Sequence, residues 1–282
     1  QNTYMVLMDY LRRQKNLSMY PYYERILGKT SGQQAQILLT LSEYRLKNEK
    51  DIKSYFQLLK GLDGYFDSLI EYSKEQVKRN LFLSDQSLKE VLQQIQNVIK
   101  QKENNMLVAT FNLRIADIKG INAAQKKKYC RENKKLIGTK VLPAYEKLYS
   151  HLQALNGNGK NENGLYYYKN GKEYYKVLVA QKTGSDKTIE EMIEISDRSI
   201  EKCLRKLIKL QKKYPNIINE YRNHKKNIKI VQNPQNILNK LRQKMVKYYP
   251  KAPKVSCKIK YVHKTMEEYT SPAFYMVPEI DS

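Results

Sequence analysis

Apolar residues recur at three- and four-residue steps along most of the chain, and this spacing predicts a mainly α-helical protein. The clearest example is a helical face that comprises Leu88, Val91, Leu92, Ile95, Val98 and Ile99. Ser84 and Asp85 precede this face and are residue types that favour a helix start. A second face runs over 51–62, and we expect Asp51 and Asp63 to act as caps or first-turn acids of the helices around them.

Further start and stop signals divide the rest of the chain. Pro143 should kink or restart a helix predicted over 123–153, since proline lacks the backbone N–H. The Gly- and Asn-rich run 155–164 is the clearest loop. Thr188 and Glu191 match a capping box. Asn233-Pro234 predicts another helix that starts at the proline.

The tyrosine-rich segment 166–175 allows two interpretations. Asn170-Gly171 between aromatic runs is typical of a β-hairpin. The apolar residues from Tyr174 to Val179 also make a helical face that Thr183-Gly184 would end. We favour a turn that leads into a helix.

The periodicity changes after Pro250. Residues 255–261 alternate with a period of two, and 273–277 form a second apolar run, so both are predicted strands. The predicted fold is mainly α: a bundle-like helical body with a small C-terminal β-sheet portion. We expect an N-terminal helical region over 1–154, the loop 155–164, and a second helical region over 165–282, all within one larger domain that continues beyond both ends.

The charge leaves two interpretations open. The chain has 52 Lys and Arg against 28 Asp and Glu among 282 residues, a formal net charge of +24. Such a balance is typical of proteins that bind nucleic acid or an anionic surface. The lysines are spread along the chain, however, which favours a solvated surface. The densest run is Lys126–Lys128, with Arg131, Lys134 and Lys135 close behind.

Cysteine and histidine provide no recognisable metal motif. Cys130, Cys203 and Cys257 lie far apart, so they indicate small buried apolar residues rather than a disulfide framework or a zinc knuckle. No two of the three histidines have the spacing of a His-Glu-x-x-His helix. We therefore assign no catalytic residue, no metal ligand and no cofactor to this sequence.

Four blocks, in this order, resemble one bacterial family, domain of unknown function 885. They are SGQQAQILL at 31–39 with 43–45 and 51–55; VLPAYEKL at 141–148; 164–165 with NGKEYY at 170–175 and TGSD at 183–186; and SPAFYMVPEID at 271–281. The resemblance extends over nearly the whole chain. The detail is most similar to a Firmicutes subgroup whose members are often described as lipoproteins.

The resemblance implies a helical zinc peptidase whose zinc helix follows the strand that matches 273–277. We therefore expect zinc in the complete protein only, and this chain alone to be inactive. The resemblance implies a signal sequence or lipid anchor upstream of Gln1. Such a segment would direct the complete protein to an extracytoplasmic location. Strand 273–277 should have an open edge through which the chain could self-associate.

The resemblance also suggests substrate-contacting residues. Tyr275 could direct its hydroxyl into a peptide-binding cleft, and Lys172, Tyr174 and Tyr175 could contribute to the same wall. The simpler alternatives are an ordinary half-buried strand tyrosine and a helix start that packs on the body.

Three functional hypotheses follow: a scaffold region of a zinc-peptidase-like protein with a peptide substrate, a basic helical module for nucleic acid or anionic surfaces, and a structural domain of a surface lipoprotein. We expect no specific nucleic-acid partner.

Overall fold

The computed structural model describes residues 2–29, 31–159, 164–227, 233–250, 259 and 261. Over these residues the chain is mainly α-helical and contains no strand, which confirms the predicted fold class. The predicted strands lie outside the described residues except for Ile259 and Tyr261, so the small sheet, Tyr275 and the open edge stay predictions. The described residues divide into two compact units, one within 1–185 and the other within 186–262.

The first unit contains eight of the described helices. They are α1 Asn2–Leu17, α2 Gln33–Glu43, α3 Glu49–Lys78, α4 Asp85–Lys100, α5 Met106–Ala116, α6 Ala123–Leu136, α7 Leu142–Ala154 and α8 Gly171–Thr183. Short 3₁₀ turns occupy Lys102–Asn104 and Leu165–Tyr167.

Helix α3 forms the centre of this unit because one face along its length is apolar. Its buried side chains pack against α6 and α7. The ring of Phe66 meets Tyr145 of α7 edge-on with 4.7 Å between centroids, and Tyr55 stacks on Phe111 of α5 at 5.4 Å. Burial of such aromatic side chains contributes about 1.5–3 kcal/mol each to folding, before the conformational entropy of ordering them is subtracted.

Most predicted helix starts are confirmed. Asn48 and Asp51 form a capping box at the start of α3, and the Ser84 hydroxyl accepts a hydrogen bond from the backbone N–H of Ser87. Asp63 is a correction: it lies inside α3, where its carboxylate is 3.1 Å from Lys147 Nζ. Helix α3 does not stop near residue 62 because its apolar face continues through Phe66 and Leu69.

The predicted interruption at Pro143 is confirmed as a π-helical turn. Residues Ile137–Val141 form this turn between α6 and α7, and Pro143 stands in the first turn of α7. Helical hydrogen bonding continues up to the N–H of Leu142, which donates to the Ile137 carbonyl, and the π-helical turn adjusts the regular pattern just before the proline, which has no N–H to donate.

The second unit contains three described helices: α9 Ile189–Lys213, α10 Ile217–Asn227 and α11 Pro234–Met245. The capping box of Thr188 and Glu191 and the start at Pro234 are as predicted. Cys203 is a correction, since it is exposed on α9 rather than buried. Cys130 is partly buried, and Cys257 lies outside the described residues.

Candidate functional site

The start of α8 brings together three of the four residues that the sequence suggested as substrate contacts. Helix α8 begins at Gly171, directly after Asn170, whose backbone is left-handed with a φ of 55°. A Cβ at position 171 would overlap the carbonyl group of Leu165, with only 2.9 Å to its carbon. Glycine at 171 therefore allows the 165–170 turn to fold back onto the helix start, which confirms the turn-then-helix interpretation.

Tyr174 forms the buried centre of this region. Only 6% of the residue is exposed. Its ring lies 4.9 Å from the Tyr23 ring and 5.6 Å from the Tyr20 ring, centroid to centroid. Tyr174 therefore contributes packing between α8 and the segment that follows α1.

Hydrogen bonds from tyrosine hydroxyls fix the turn before α8. The Tyr23 hydroxyl donates to the carbonyl of Lys169. The Tyr168 hydroxyl donates to the carbonyl of Phe82 at 3.2 Å. The turn is thus attached both to the segment after α1 and to the segment between α3 and α4.

Helix α3 holds the opposite side of the same region. The Gln76 amide donates to the carbonyls of Tyr22 and Glu24 at 2.8 and 3.0 Å, and the Tyr72 hydroxyl donates to the Glu24 carbonyl at 3.3 Å. These bonds hold Tyr22 in a left-handed conformation with a φ of 70°, which is rare for a bulky residue. The Arg79 guanidinium lies 4.7 Å above the Tyr22 ring.

Three tyrosine hydroxyls of this region, those of Tyr23, Tyr72 and Tyr174, have raised pKa values and stay protonated at neutral pH. Burial, and then the Glu24 carboxylate, raises the pKa of Tyr72 to about 12. Burial is also the main cause that raises the pKa of Tyr174 and of Tyr23. The Tyr72 and Tyr23 hydroxyls therefore act as hydrogen-bond donors and not as bases or nucleophiles.

The accessible part of the region, which we call the aromatic rim, consists of Tyr166, Tyr167, Lys172 and Tyr175. The two rings of Tyr166 and Tyr167 meet edge-on at 5.1 Å and are 63% and 64% exposed. The Lys172 ammonium lies 4.6 Å from the centre of the Tyr166 ring, and Tyr175 is 45% exposed one turn further along α8. This surface offers apolar faces, hydroxyl groups and one cation to a ligand.

A buried polar network that the sequence did not single out joins the first two family-like blocks. The Gln34 amide donates at 2.7 Å to both the Gly28 carbonyl and the Gln94 side chain, and the Tyr145 hydroxyl donates at 2.7 Å to the Gln34 carbonyl. Gly32 is required here because a Cβ would collide with the Gly28 backbone. The available signal was Gln34 itself, a polar residue on the apolar face of α2 that also contains Leu38 and Leu41.

Arg13 was also missed, and it joins α1 to the end of α8. Its guanidinium donates to the carbonyls of Ala180 and Ser185 at 3.2 Å and pairs with Asp9 at 2.7 Å. The residue is 6% exposed, and it places a cation beside the negative end of α8.

Among the described residues, no group of three or more His, Cys, Asp or Glu side chains is arranged to hold a metal ion. None of the described helices has the length and apolar character that crossing a bilayer requires.

Comparisons with known proteins place these observations in context. A sequence model of the family described as "Bacterial protein of unknown function (DUF885)" matches residues 1–282. No curated protein matches significantly. A crystal structure described as "the putative lipoprotein from Colwellia psychrerythraea" is similar with a TM-score of 0.58 and 18% identity, over 63% of this chain and 31% of that one. At this identity the similarity concerns the fold alone, and this chain spans less than a third of that protein's length.

Proposed function

Because the chain belongs to the DUF885 family of bacterial proteins, we propose that it is the helical scaffold and cleft-wall portion of a zinc-metallopeptidase-like protein. In this proposal the zinc-binding His-Glu-x-x-His helix belongs to a part of the complete protein outside these 282 residues. The four blocks at 31–55, 141–148, 164–186 and 271–281, in family-like order, support it. The match covers 31% of the Colwellia protein, so that protein contains further segments outside the matched part, as the proposal requires of the complete protein here.

The observation that best supports a scaffold role is the use of the family-like blocks for packing. Gln34 of the first block and Tyr145 of the second share a buried network. Gly171 and Tyr174 of the third block fix the start of α8. These packing residues determine how the helices are arranged. In the complete protein, the catalytic groups would be positioned by this helical arrangement.

The aromatic rim supports the cleft-wall part of the proposal. Exposed tyrosine rings provide rigid apolar area with a hydroxyl at the edge, and peptides have both apolar side chains and hydrogen-bonding backbone groups. Lys172 would add a cation for a carboxylate of the substrate. Tyr174 would act beneath the rim by holding α8 in place, and Tyr275 would extend the same wall.

The described residues do not fit a zinc site, since no three potential ligands converge among them. We therefore propose no catalytic step and no metal ligand for this chain. Zinc is proposed only for the complete protein.

The Colwellia protein is described as a "putative lipoprotein", and the resemblance to a lipoprotein-like subgroup of the family supports the same assignment. We propose that the complete protein is likewise an extracytoplasmic lipoprotein with a lipid anchor upstream of the present residues.

The test is a peptidase assay on the complete gene product with mixed peptide substrates. We expect hydrolysis that a chelator abolishes and that a Glu→Gln change in the His-Glu-x-x-His motif also abolishes. Absence of the motif from the complete sequence, or hydrolysis that resists both treatments, would contradict the proposal. Replacement of Tyr167 by Ala should raise KM more than it lowers kcat if the rim contacts substrate.

A further inference from the structure

Helix α6 carries a dense basic surface that the sequence alone did not resolve. Five cationic side chains of this helix are exposed: Lys127, Lys128, Arg131, Lys134 and Lys135. With about 100° of rotation per residue, they lie within an arc of about 120° on the helix. The buried residues Asn133 and Leu136 lie on the opposite side. We call this arc the basic face of α6.

The basic face keeps a positive charge even without Lys134, because Lys127, Lys128, Arg131 and Lys135 form no ion pair within the part of the chain that the structure describes. Glu132 is the one acidic residue of α6 and is partly buried at the edge of the arc. Glu49, at the start of α3, interacts electrostatically with Lys128, and Lys53 already lies 3.0 Å from the Glu49 carboxylate.

We propose that the basic face of α6 docks on the anionic phospholipid surface of a membrane. The face has the complementary charge, and it extends about 12 Å along a straight helix, so several side chains can reach one flat surface together. None of the large exposed apolar side chains of the described residues belongs to α6, which predicts binding at the headgroups without insertion into the acyl region.

A lipid surface fits the basic face better than a nucleic acid does. The tyrosine of α6, Tyr129, donates its hydroxyl to Glu49 at 2.8 Å and lies against the Phe56 ring, so it is not presented on the arc. Sequence-tolerant binding of single strands commonly relies on aromatic side chains that stack on bases, and this face has none. The basic face therefore presents positive charge but no aromatic side chain that could stack on a base.

The inference rests on the proposed lipoprotein character and adds a second membrane contact to it. Each lysine or arginine held near an anionic surface strengthens binding about fivefold. The basic face would thus orient the body on the membrane and keep it there.

The experiment is a sedimentation assay of the 282-residue chain with vesicles that contain phosphatidylglycerol, and with vesicles of phosphatidylcholine alone. The test variant combines Lys127→Gln, Lys128→Gln, Arg131→Gln and Lys135→Gln. The control variant also removes four positive charges, but from exposed lysines outside α6: Lys60→Gln, Lys89→Gln, Lys206→Gln and Lys209→Gln. Circular dichroism should show equal helix content in all three proteins, since every replaced side chain is exposed.

We expect binding to the anionic vesicles alone, with a loss of more than about tenfold in the test variant and less than about threefold in the control variant. Binding should also weaken steeply with salt. Equal losses in the two variants, or no binding to anionic vesicles, would overturn the proposal. Tighter binding of the unmodified chain to duplex DNA or RNA than to vesicles at about 0.15 M salt would overturn it in favour of nucleic acid.

This outcome is separate from that of the peptidase assay. A complete protein without zinc chemistry could still dock through α6, and an active peptidase could fail to do so. Vesicle binding reports only on the basic face, whereas chelator-sensitive hydrolysis reports only on the proposed function.

Discussion

Replacement of Gly171 by alanine is the sharpest test of how the aromatic rim is built. The backbone at this position has no left-handed φ, so the new methyl group acts through its volume alone. It would overlap the Leu165 carbonyl, and the obstructing atoms belong to backbone rather than to a flexible side chain. The 165–170 turn would have to move away from α8, which would disturb the 2.8 Å hydrogen bond from the Gly171 N–H to the Tyr168 carbonyl.

Insertion of a methyl group into a packed site costs about 1–3 kcal/mol, and we expect Gly171→Ala to lie in the upper half of that range. The measurement is the free energy of unfolding from urea titration, followed by circular dichroism. Near-ultraviolet circular dichroism of the same samples should also change, because the chain has 24 Tyr and no Trp and the displaced turn includes Tyr168.

The matched control is Gly64→Ala in the middle of α3. A Cβ there meets no atom within 4 Å. Alanine in a helix interior is about 0.5–1 kcal/mol more favourable than glycine, so this variant should be more stable than the natural chain. A Gly171→Ala protein within about 0.5 kcal/mol of the natural chain, with an unchanged near-ultraviolet spectrum, would refute the described geometry of the turn.

Three further changes test other parts of the structure. Tyr145→Phe removes the buried hydrogen bond to the Gln34 carbonyl and should lower the free energy of unfolding, measured by urea titration, by about 1 kcal/mol. The control Tyr149→Phe on the same helix should change this free energy by less than about 0.5 kcal/mol. Equal effects of the two variants would contradict the network. Because the pKa of Tyr72 is raised to about 12 in the folded chain, its stabilising contribution is complete below about pH 10 and is lost as the pH rises toward 12. Tyr72→Phe should therefore make alkaline unfolding less steep between those values, and an unchanged profile would contradict the assignment. Thr188→Ala removes the capping box of α9 and should lower the free energy of unfolding, measured by thermal denaturation, by about 1 kcal/mol. The control Ser199→Ala, at an exposed position of the same helix, should not.

Helices with strong local signals were predictable from the sequence. Helix α4 begins at Asp85 with Ser84 as its cap, and α9 begins after Thr188, because apolar period and capping residues agree at both places. Asp63 was misassigned because an acidic residue looks the same at a helix start and on the exposed side of a long helix. Only the continuation of the apolar face of α3 distinguishes the two.

The candidate site was predictable in part. Local rules identified the turn before α8 and placed Lys172 and Tyr175 at the start of the helix. They could not show that Tyr174 is buried beside Tyr23, since that contact joins residues about 150 positions apart in sequence. Arg13 was missed for the same reason, since its guanidinium donates to backbone carbonyls of a remote segment, which no side-chain pattern marks. Gln34 was visible as a polar residue on an apolar helix face, but its side-chain partner Gln94 is 60 positions away.

The charge pattern illustrates a related limit. Counted along the sequence, the lysines are dispersed, and the run at 126–135 is short. The helical geometry of α6 places five of these cations on one side and the packing residues on the other. A surface property of this kind depends on which face of the helix is buried, and tertiary packing decides that.

The most direct test of the scaffold account is the zinc content of two proteins purified side by side, the complete gene product and the 282-residue chain. Elemental analysis after dialysis against a weak chelator should find about one zinc per complete protein and none tightly held by the chain. About one tightly held zinc in the 282-residue chain, or none in the complete protein, would contradict the account.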